Sequence, residues 1–203
     1  MAHTLNYFSG HYKDVVYVMG NHECYDRSSI EDFSNTLPNF LGPNVQFLNA
    51  NHKTIQGVYF IGAPLWSNFN EDPLAEHAAK SLISDFRRIK DFTPAKCKEL
   101  FYQDFDFIRY AYDRRNPEQQ TVIVTHFLPS HKCVAPRFAS SGLLNYYFAN
   151  NLDYFIEDLE NTTWLHGHTH DPVDVTIGTT RSLANPLGYP NEHNHYEHLI
   201  LDI

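Results

Sequence analysis

Six side chains that can bind a metal ion or move a proton follow apolar stretches of this sequence. They are Asn21, His22, Glu23, His126, His168 and His170. Each apolar stretch has the composition of a short buried strand, and the polar residues begin where the strand should end. In open α/β sheets, ligands bind beyond the carboxyl ends of the strands. We therefore expect these side chains to gather at one cleft.

The run HGHTH, residues 166–170, has a spacing suited to metal binding. In an extended chain, residues two apart point in the same direction, so His168 and His170 can bind one ion or two neighbouring ions. His166, on the strand side of Gly167, is equally compatible with a packed strand residue. Imidazole nitrogens and amide oxygens suit Mn, Fe, Co, Ni or Zn better than Ca or Mg. These residues predict a divalent transition metal as cofactor, against the alternative that each histidine is only a hydrogen-bonded structural residue.

The elements that must position these residues alternate between strands and helices along the chain. Apolar and β-branched runs predict the strands, and helical periodicity with capping residues predicts the helices. The predicted strands cover residues 14–19, 45–49, 53–62, 121–126, the start of 162–170, and 196–203. The predicted helices cover residues 70–92, with Asp72 as N-cap and Pro73 after it, a segment from Pro94, and residues 146–160. This alternation predicts one α/β domain over residues 1–203.

Composition and charge restrict the setting of the protein. The 203 residues carry a formal net charge of −9, which disfavours a nucleic-acid backbone as the main partner unless a local cleft overrides it. No apolar run reaches the roughly 18 residues that a membrane helix needs, so no membrane partner is expected. The three cysteines are odd in number and never spaced C-x-x-C, which favours reduced, packed thiols in a cytoplasmic protein.

Three motifs at the predicted strand ends, GNHE, VTHFLPS and LHGHTH, resemble the last three motifs of the calcineurin-like metallophosphoesterases. The stretches GAPLWSNF, SDFRRIKDF and TIGTTRSLANPLGYPNE resemble a bacterial and phage subgroup of small phosphoesterases. The resemblance covers essentially the whole chain and implies a four-layer α-β-β-α sandwich. It also implies hydrolysis of phosphomonoester or phosphodiester bonds at a dinuclear centre with a metal-bound hydroxide. The substrate would be a phosphorylated small molecule or a phosphodiester.

The resemblance also implies a role for each of the six side chains named above. Asn21, His126 and His168 would bind the second metal ion, and His170 would bind the first. His22 would protonate the leaving oxygen as the general acid, and Glu23 would orient it.

Two motifs of this family have no counterpart in the sequence. These are an N-terminal Asp-x-His, which binds the first ion, and a Gly-Asp, whose aspartate bridges the two ions. Without them we expect at most one weakly held ion and slow hydrolysis by this chain, unless Asp26 or Asp171 replaces the bridging carboxylate. The alternative function is a catalytically impaired phosphoesterase-fold module that acts in protein interaction.

The missing motifs belong to two strands, one of them expected beside residues 15–19. A strand without that neighbour exposes unpaired backbone groups. Three explanations stay open: a truncated sequence, which ranks first, an oligomer or second chain that completes the sheet, or a remnant with a substitute strand.

Other polar positions have structural interpretations. Arg87 and Arg88 are expected to form ion pairs on a helix with Asp85 rather than to bind phosphate. Cys24, next to Glu23, is expected to pack as a small apolar residue.

Overall fold

Two β-sheets and the helices around them make up the described part of this computed structural model, residues 2–25, 28–189, 192 and 197–202. The strands are β1 (Val15–Tyr17), β2 (Val45–Phe47), β3 (Asn51–Ile55), β4 (Val58–Ala63), β5 (Thr121–Thr125), β6 (Thr162–His166), β7 (Val173–Ile177) and β8 (Thr180–Ala184). The α-helices are α1 (Ala2–Ser9), α2 (Ile30–Thr36), α3 (Pro73–Leu82), α4 (Asp85–Arg88), α5 (Pro94–Asp113), α6 (Asn145–Phe148) and α7 (Asp153–Ile156). The predicted α/β class is confirmed.

The larger sheet has the strand order β3-β4-β5-β6-β8-β7, and its four central strands run parallel. These strands are rich in β-branched and apolar residues, as expected where both faces of a sheet are covered. Thr125 at the end of β5 pairs with His166 at the end of β6. His126 and the run 166–170 therefore leave the sheet side by side, at the same edge.

The smaller sheet contains β1 and β2, which run parallel with Val15 opposite Val45. It meets the larger sheet at Gly62 of β4. A Cβ atom there would lie only 2.4 Å from Cβ of Leu48 and 3.1 Å from Cγ2 of Val18. Only a residue without a side chain allows this approach. The close packing places the end of β1, and with it Asn21, beside the ends of β5 and β6.

Helix α5 packs on β4 and buries Phe101, Phe105 and Ile108. The three cysteines are free and buried, so the packing role predicted for Cys24 is confirmed. No described helix has the length and apolar character needed to cross a membrane.

Two predicted helices are shorter than expected. The N-cap of the first is confirmed, because the Asp72 side chain accepts the N–H of Leu74 at 2.7 Å. That helix ends at Leu82, since Ile83 is extended, and α4 begins only at Asp85. The helix predicted over 146–160 is interrupted between α6 and α7, where Ala149 pairs with the backbone of Leu128.

The strand predictions need three corrections. Residues 53–62 belong to two antiparallel strands, β3 and β4, because Gln56 and Gly57 form a left-handed turn. The hairpin β7–β8 was not predicted, although Gly178 with φ of 59° marks its turn. The strand predicted at 196–203 is wrong for its described residues 197–202. Both edges of β8 are already paired, with β6 and with β7.

Candidate metal centre

Three predicted ligands come together at the junction of the two sheets. Oδ1 of Asn21 lies 2.9 Å from Nε2 of His126, and Nδ1 of His168 lies 3.0 Å from the same nitrogen. The three side chains line a cleft of about 500 Å³. In the described ranges no three His, Cys, Asp or Glu side chains form a metal-binding group. The candidate set therefore consists of two histidines and the amide oxygen of Asn21.

Hydrogen bonds alone cannot account for both short distances at Nε2 of His126. A ring nitrogen has one in-plane direction, which holds either a proton or a lone pair. Nε2 of His126 therefore cannot make good hydrogen bonds to both Asn21 and His168. A cation shared by the three atoms would remove the conflict, because imidazole nitrogens and an amide oxygen are ligands that divalent transition metals accept. The donor set fits a divalent transition metal.

The two histidines of the set are held in the form that binds metal. Burial is the main cause that lowers the pKa of His126 well below its usual value and the pKa of His168 to about 3. Both rings are therefore neutral near pH 7, and neutral imidazole is the ligand form. Nε2 of His168 is buried without a hydrogen-bond partner in the described structure, which leaves further polar capacity in the cluster.

The Asn21 side chain is oriented by a buried carboxylate that was not predicted. Nδ2 of Asn21 donates to Oδ2 of Asp85 at 2.8 Å, which leaves Oδ1 facing His126. The hydroxyls of Tyr25 and Tyr147 also donate to Asp85, which is 1% exposed.

The predicted ion pairs between Asp85 and the two arginines of α4 are wrong. Arg87 donates to the carbonyl of Ser81, and the guanidinium of Arg88 lies 4.2 Å from the ring centre of Tyr25. The described hydrogen bonds to the Asp85 carboxylate come instead from neutral donors.

His22 lies in the cleft beside the cluster. Its ring centre is 4.2 Å from that of Tyr25, and its Nδ1 is 3.1 Å from the Tyr189 hydroxyl. Burial is the main cause that lowers the pKa of His22. Glu23 accepts the N–H of Gly20 at 2.8 Å and so closes the turn after β1. The orienting role predicted for Glu23 stays a prediction. The contact of Tyr189 with His22 was not predicted from the sequence, because no motif marks Tyr189.

His170 lines the same cleft but belongs to a different group of contacts. Its Nδ1 is 2.7 Å from Oε1 of Glu192, and its ring stands edge-on to Tyr189 at 4.7 Å. A first metal ion at His170 stays a prediction. Of the two substitute bridging carboxylates, Asp171 accepts a hydrogen bond from Arg137, and Asp26 lies outside the described residues. His166 is the buried last residue of β6.

Comparison with known proteins agrees with this fold. The family model described as calcineurin-like phosphoesterase matches residues 2–172, and the chain belongs to that family. Its members are phosphoesterases and generally use divalent metals.

One curated relative and one solved structure are similar over most of the chain. "Uncharacterized protein L509" of Acanthamoeba polyphaga mimivirus is 30% identical over 209 residues, which cover 91% of this chain and 71% of that protein. The crystal structure of phosphopantetheinyl hydrolase from Mycobacterium tuberculosis has a TM-score of 0.69 at 19% identity. It covers 93% of this chain and 74% of the solved chain, and it shows a shared fold.

Proposed function

We propose that this chain is a metal-dependent phosphoesterase, which hydrolyses a phosphomonoester or phosphodiester at the cleft described above. Asn21, His126 and His168 hold a divalent transition metal there. The observation that carries the proposal is the pair of contacts at Nε2 of His126, 2.9 Å to Asn21 and 3.0 Å to His168. Membership of a phosphoesterase family supports the reaction class.

In this proposal, the groups in the cleft have different roles in the reaction. A divalent ion bound there supplies positive charge and Lewis acidity to the phosphate oxygens. His22 gives its proton to the leaving oxygen, a role that suits an imidazole beside the reacting group. The hydroxyl of Tyr189, 3.1 Å from Nδ1, holds the His22 ring in place. The negative charge of a bound phosphate favours the protonated form of His22.

The test is to measure metal binding and hydrolysis on the same protein. Metal-stripped chain is titrated with Mn²⁺ by calorimetry, and hydrolysis of p-nitrophenyl phosphate and bis-p-nitrophenyl phosphate is followed with and without Mn²⁺. We expect no more than one equivalent of Mn²⁺ and slow, Mn²⁺-dependent hydrolysis.

His168→Ala should remove both binding and hydrolysis. The control is His77→Ala, which changes an exposed histidine on α3 and should behave as the unaltered chain does. Absence of Mn²⁺ binding, or hydrolysis that survives a chelator, would refute the proposal.

A further inference from the structure

The buried carboxylate of Asp85 stands directly behind the proposed metal centre. We infer that Asp85 is a positioning residue for the metal, an inference that rests on the proposed function. It fixes the Asn21 amide with the oxygen towards the ion, and it supplies the negative charge that the three ligands lack.

Both oxygens of the Asp85 carboxylate are already engaged, so the residue acts through Asn21 and not as a ligand. Oδ1 accepts the Tyr25 hydroxyl, and Oδ2 accepts the Tyr147 hydroxyl together with Nδ2 of Asn21. The residue is 1% exposed, at the start of α4. Its position is therefore set by contacts from two separate segments of the chain, the turn after β1 and helix α6.

The orientation of the Asn21 amide decides whether the cluster can bind a cation. With Nδ2 held by Asp85, Oδ1 lies 2.9 Å from Nε2 of His126. If the amide turned over, two N–H groups would face the centre, and N–H groups repel a cation. Asp85 disfavours that orientation, because a carboxylate accepts hydrogen bonds and cannot donate them.

The charge of Asp85 is the second part of its role. Asn21, His126 and His168 are neutral ligands, so a divalent ion among them brings two uncompensated charges into a buried place. The described donors to Asp85 are an amide and two hydroxyls, and no described lysine or arginine pairs with it. As a carboxylate without a described basic partner, Asp85 attracts a cation one residue away.

A different account of these contacts is that Asp85 only anchors α4 to the core. That account predicts lower stability for variants of Asp85 and unchanged metal affinity. The two accounts therefore differ in the dissociation constant for the metal, and not in the melting temperature.

The experiment compares Mn²⁺ binding, by calorimetry on metal-stripped protein, with thermal stability. In Asp85→Asn the shape is kept and the charge is lost, and we expect Kd to rise roughly 10- to 100-fold, as for other residues that orient a ligand. The matched control is Asp104→Asn, which removes another buried carboxylate that does not contact the cluster. Its Kd should equal that of the unaltered chain.

Asp85→Glu is the second variant, in case Asp85→Asn does not fold. It keeps the charge but moves the carboxylate by one methylene, so we expect a smaller rise in Kd than in Asp85→Asn. A Kd equal to that of the unaltered chain in either variant would overturn the inference. An unaltered chain that binds no Mn²⁺ would overturn the proposed function, and the inference with it.

Discussion

Gly20 and Gly167 both approach the His126 ring so closely that neither position has room for a side chain. A Cβ atom at Gly20 would lie 2.6–2.9 Å from three ring atoms of His126, and one at Gly167 would lie 3.2 Å from its Nδ1. Protein interiors are packed densely enough that such an overlap displaces atoms. The glycines of GNHE and HGHTH therefore leave the space that the imidazole occupies when its Nε2 lies beside Asn21 and His168.

Gly20→Ala should weaken metal binding, although no ligand is changed. The added methyl group overlaps the His126 ring, so the ring must turn and Nε2 must leave the cluster. Calorimetric titration with Mn²⁺ should show a Kd raised on the order of tenfold or more, with a loss of about 1–3 kcal/mol in stability from overpacking. Gly10→Ala is the control, because a Cβ there meets nothing closer than 3.5 Å. If Gly20→Ala binds Mn²⁺ as the unaltered chain does, the ring is not fixed in this way.

At the residue scale, the sequence indicated which candidate ligands meet in the cleft, but it did not indicate the residues that orient them. Asn21, His126 and His168 each follow a strand, and that local signal was sufficient. Asp85 and Tyr147 lie 64 and 126 residues from Asn21 in the sequence, and no spacing rule connects them to it. Only the packing of α4 and α6 beside the turn after β1 brings their side chains to Asn21.

At the scale of elements, the segment after β4 is a buried loop held by polar side chains. Asp104 on α5 accepts the N–H of Leu65 at 2.8 Å, and Asn150 donates to the carbonyls of Leu65 and Trp66. Buried backbone groups must be paired, and here no strand or helix pairs them. This need explains why the helix predicted over 146–160 is interrupted at Asn150, where helical periodicity alone indicated continuation.

The stability contribution of Asp104 should depend on pH. Burial raises the pKa of Asp104 from its usual 3.8 to about 7. Between these values the folded chain binds a proton that the unfolded chain has released. The contribution of Asp104 to the free energy of unfolding therefore has its full value below about pH 4. It is lost as the pH rises through about 7. At about 1.4 kcal/mol for each pKa unit, the loss is at most about 4 kcal/mol.

Asp104→Asn should remove this dependence, because a neutral amide can still accept the N–H of Leu65 at every pH. Urea denaturation at pH 5 and pH 8 measures it. The unaltered chain should lose more stability between the two values than the variant does. Asp106→Asn is the control, since Asp106 is exposed on the same helix and should leave the dependence intact. Equal losses in the unaltered chain and in Asp104→Asn would contradict the assignment.

At the scale of the whole molecule, the candidate centre joins two separate sheets. Asn21 follows β1 of the small sheet, whereas His126 and His168 follow β5 and β6 of the large one. Among the described residues no strand pairs with the second edge of β1, and completion of that edge by a second chain stays a prediction. Alternating strands and helices indicated the α/β class and the common edge of β5 and β6. They did not indicate that the small sheet depends on Gly62 for its approach to the large one.

Metal binding should therefore stabilise the contact between the small sheet and the large sheet. A ligand that binds only the folded state adds about 2.7 kcal/mol of stability at a concentration of a hundred times its Kd. Because the ion joins Asn21 to both histidines, part of this gain should oppose local opening of β1, which has three residues and one strand partner in the described part of the chain. Hydrogen exchange with and without Mn²⁺ measures this directly. We expect amides of residues 15–21 to exchange more slowly with Mn²⁺, and those of the distant hairpin β7–β8 to change less.

In the control variant His168→Ala, Mn²⁺ should change the exchange of neither region. Equal slowing of β1 and of β7–β8 in the unaltered chain would show that the ion does not act as a link between the sheets.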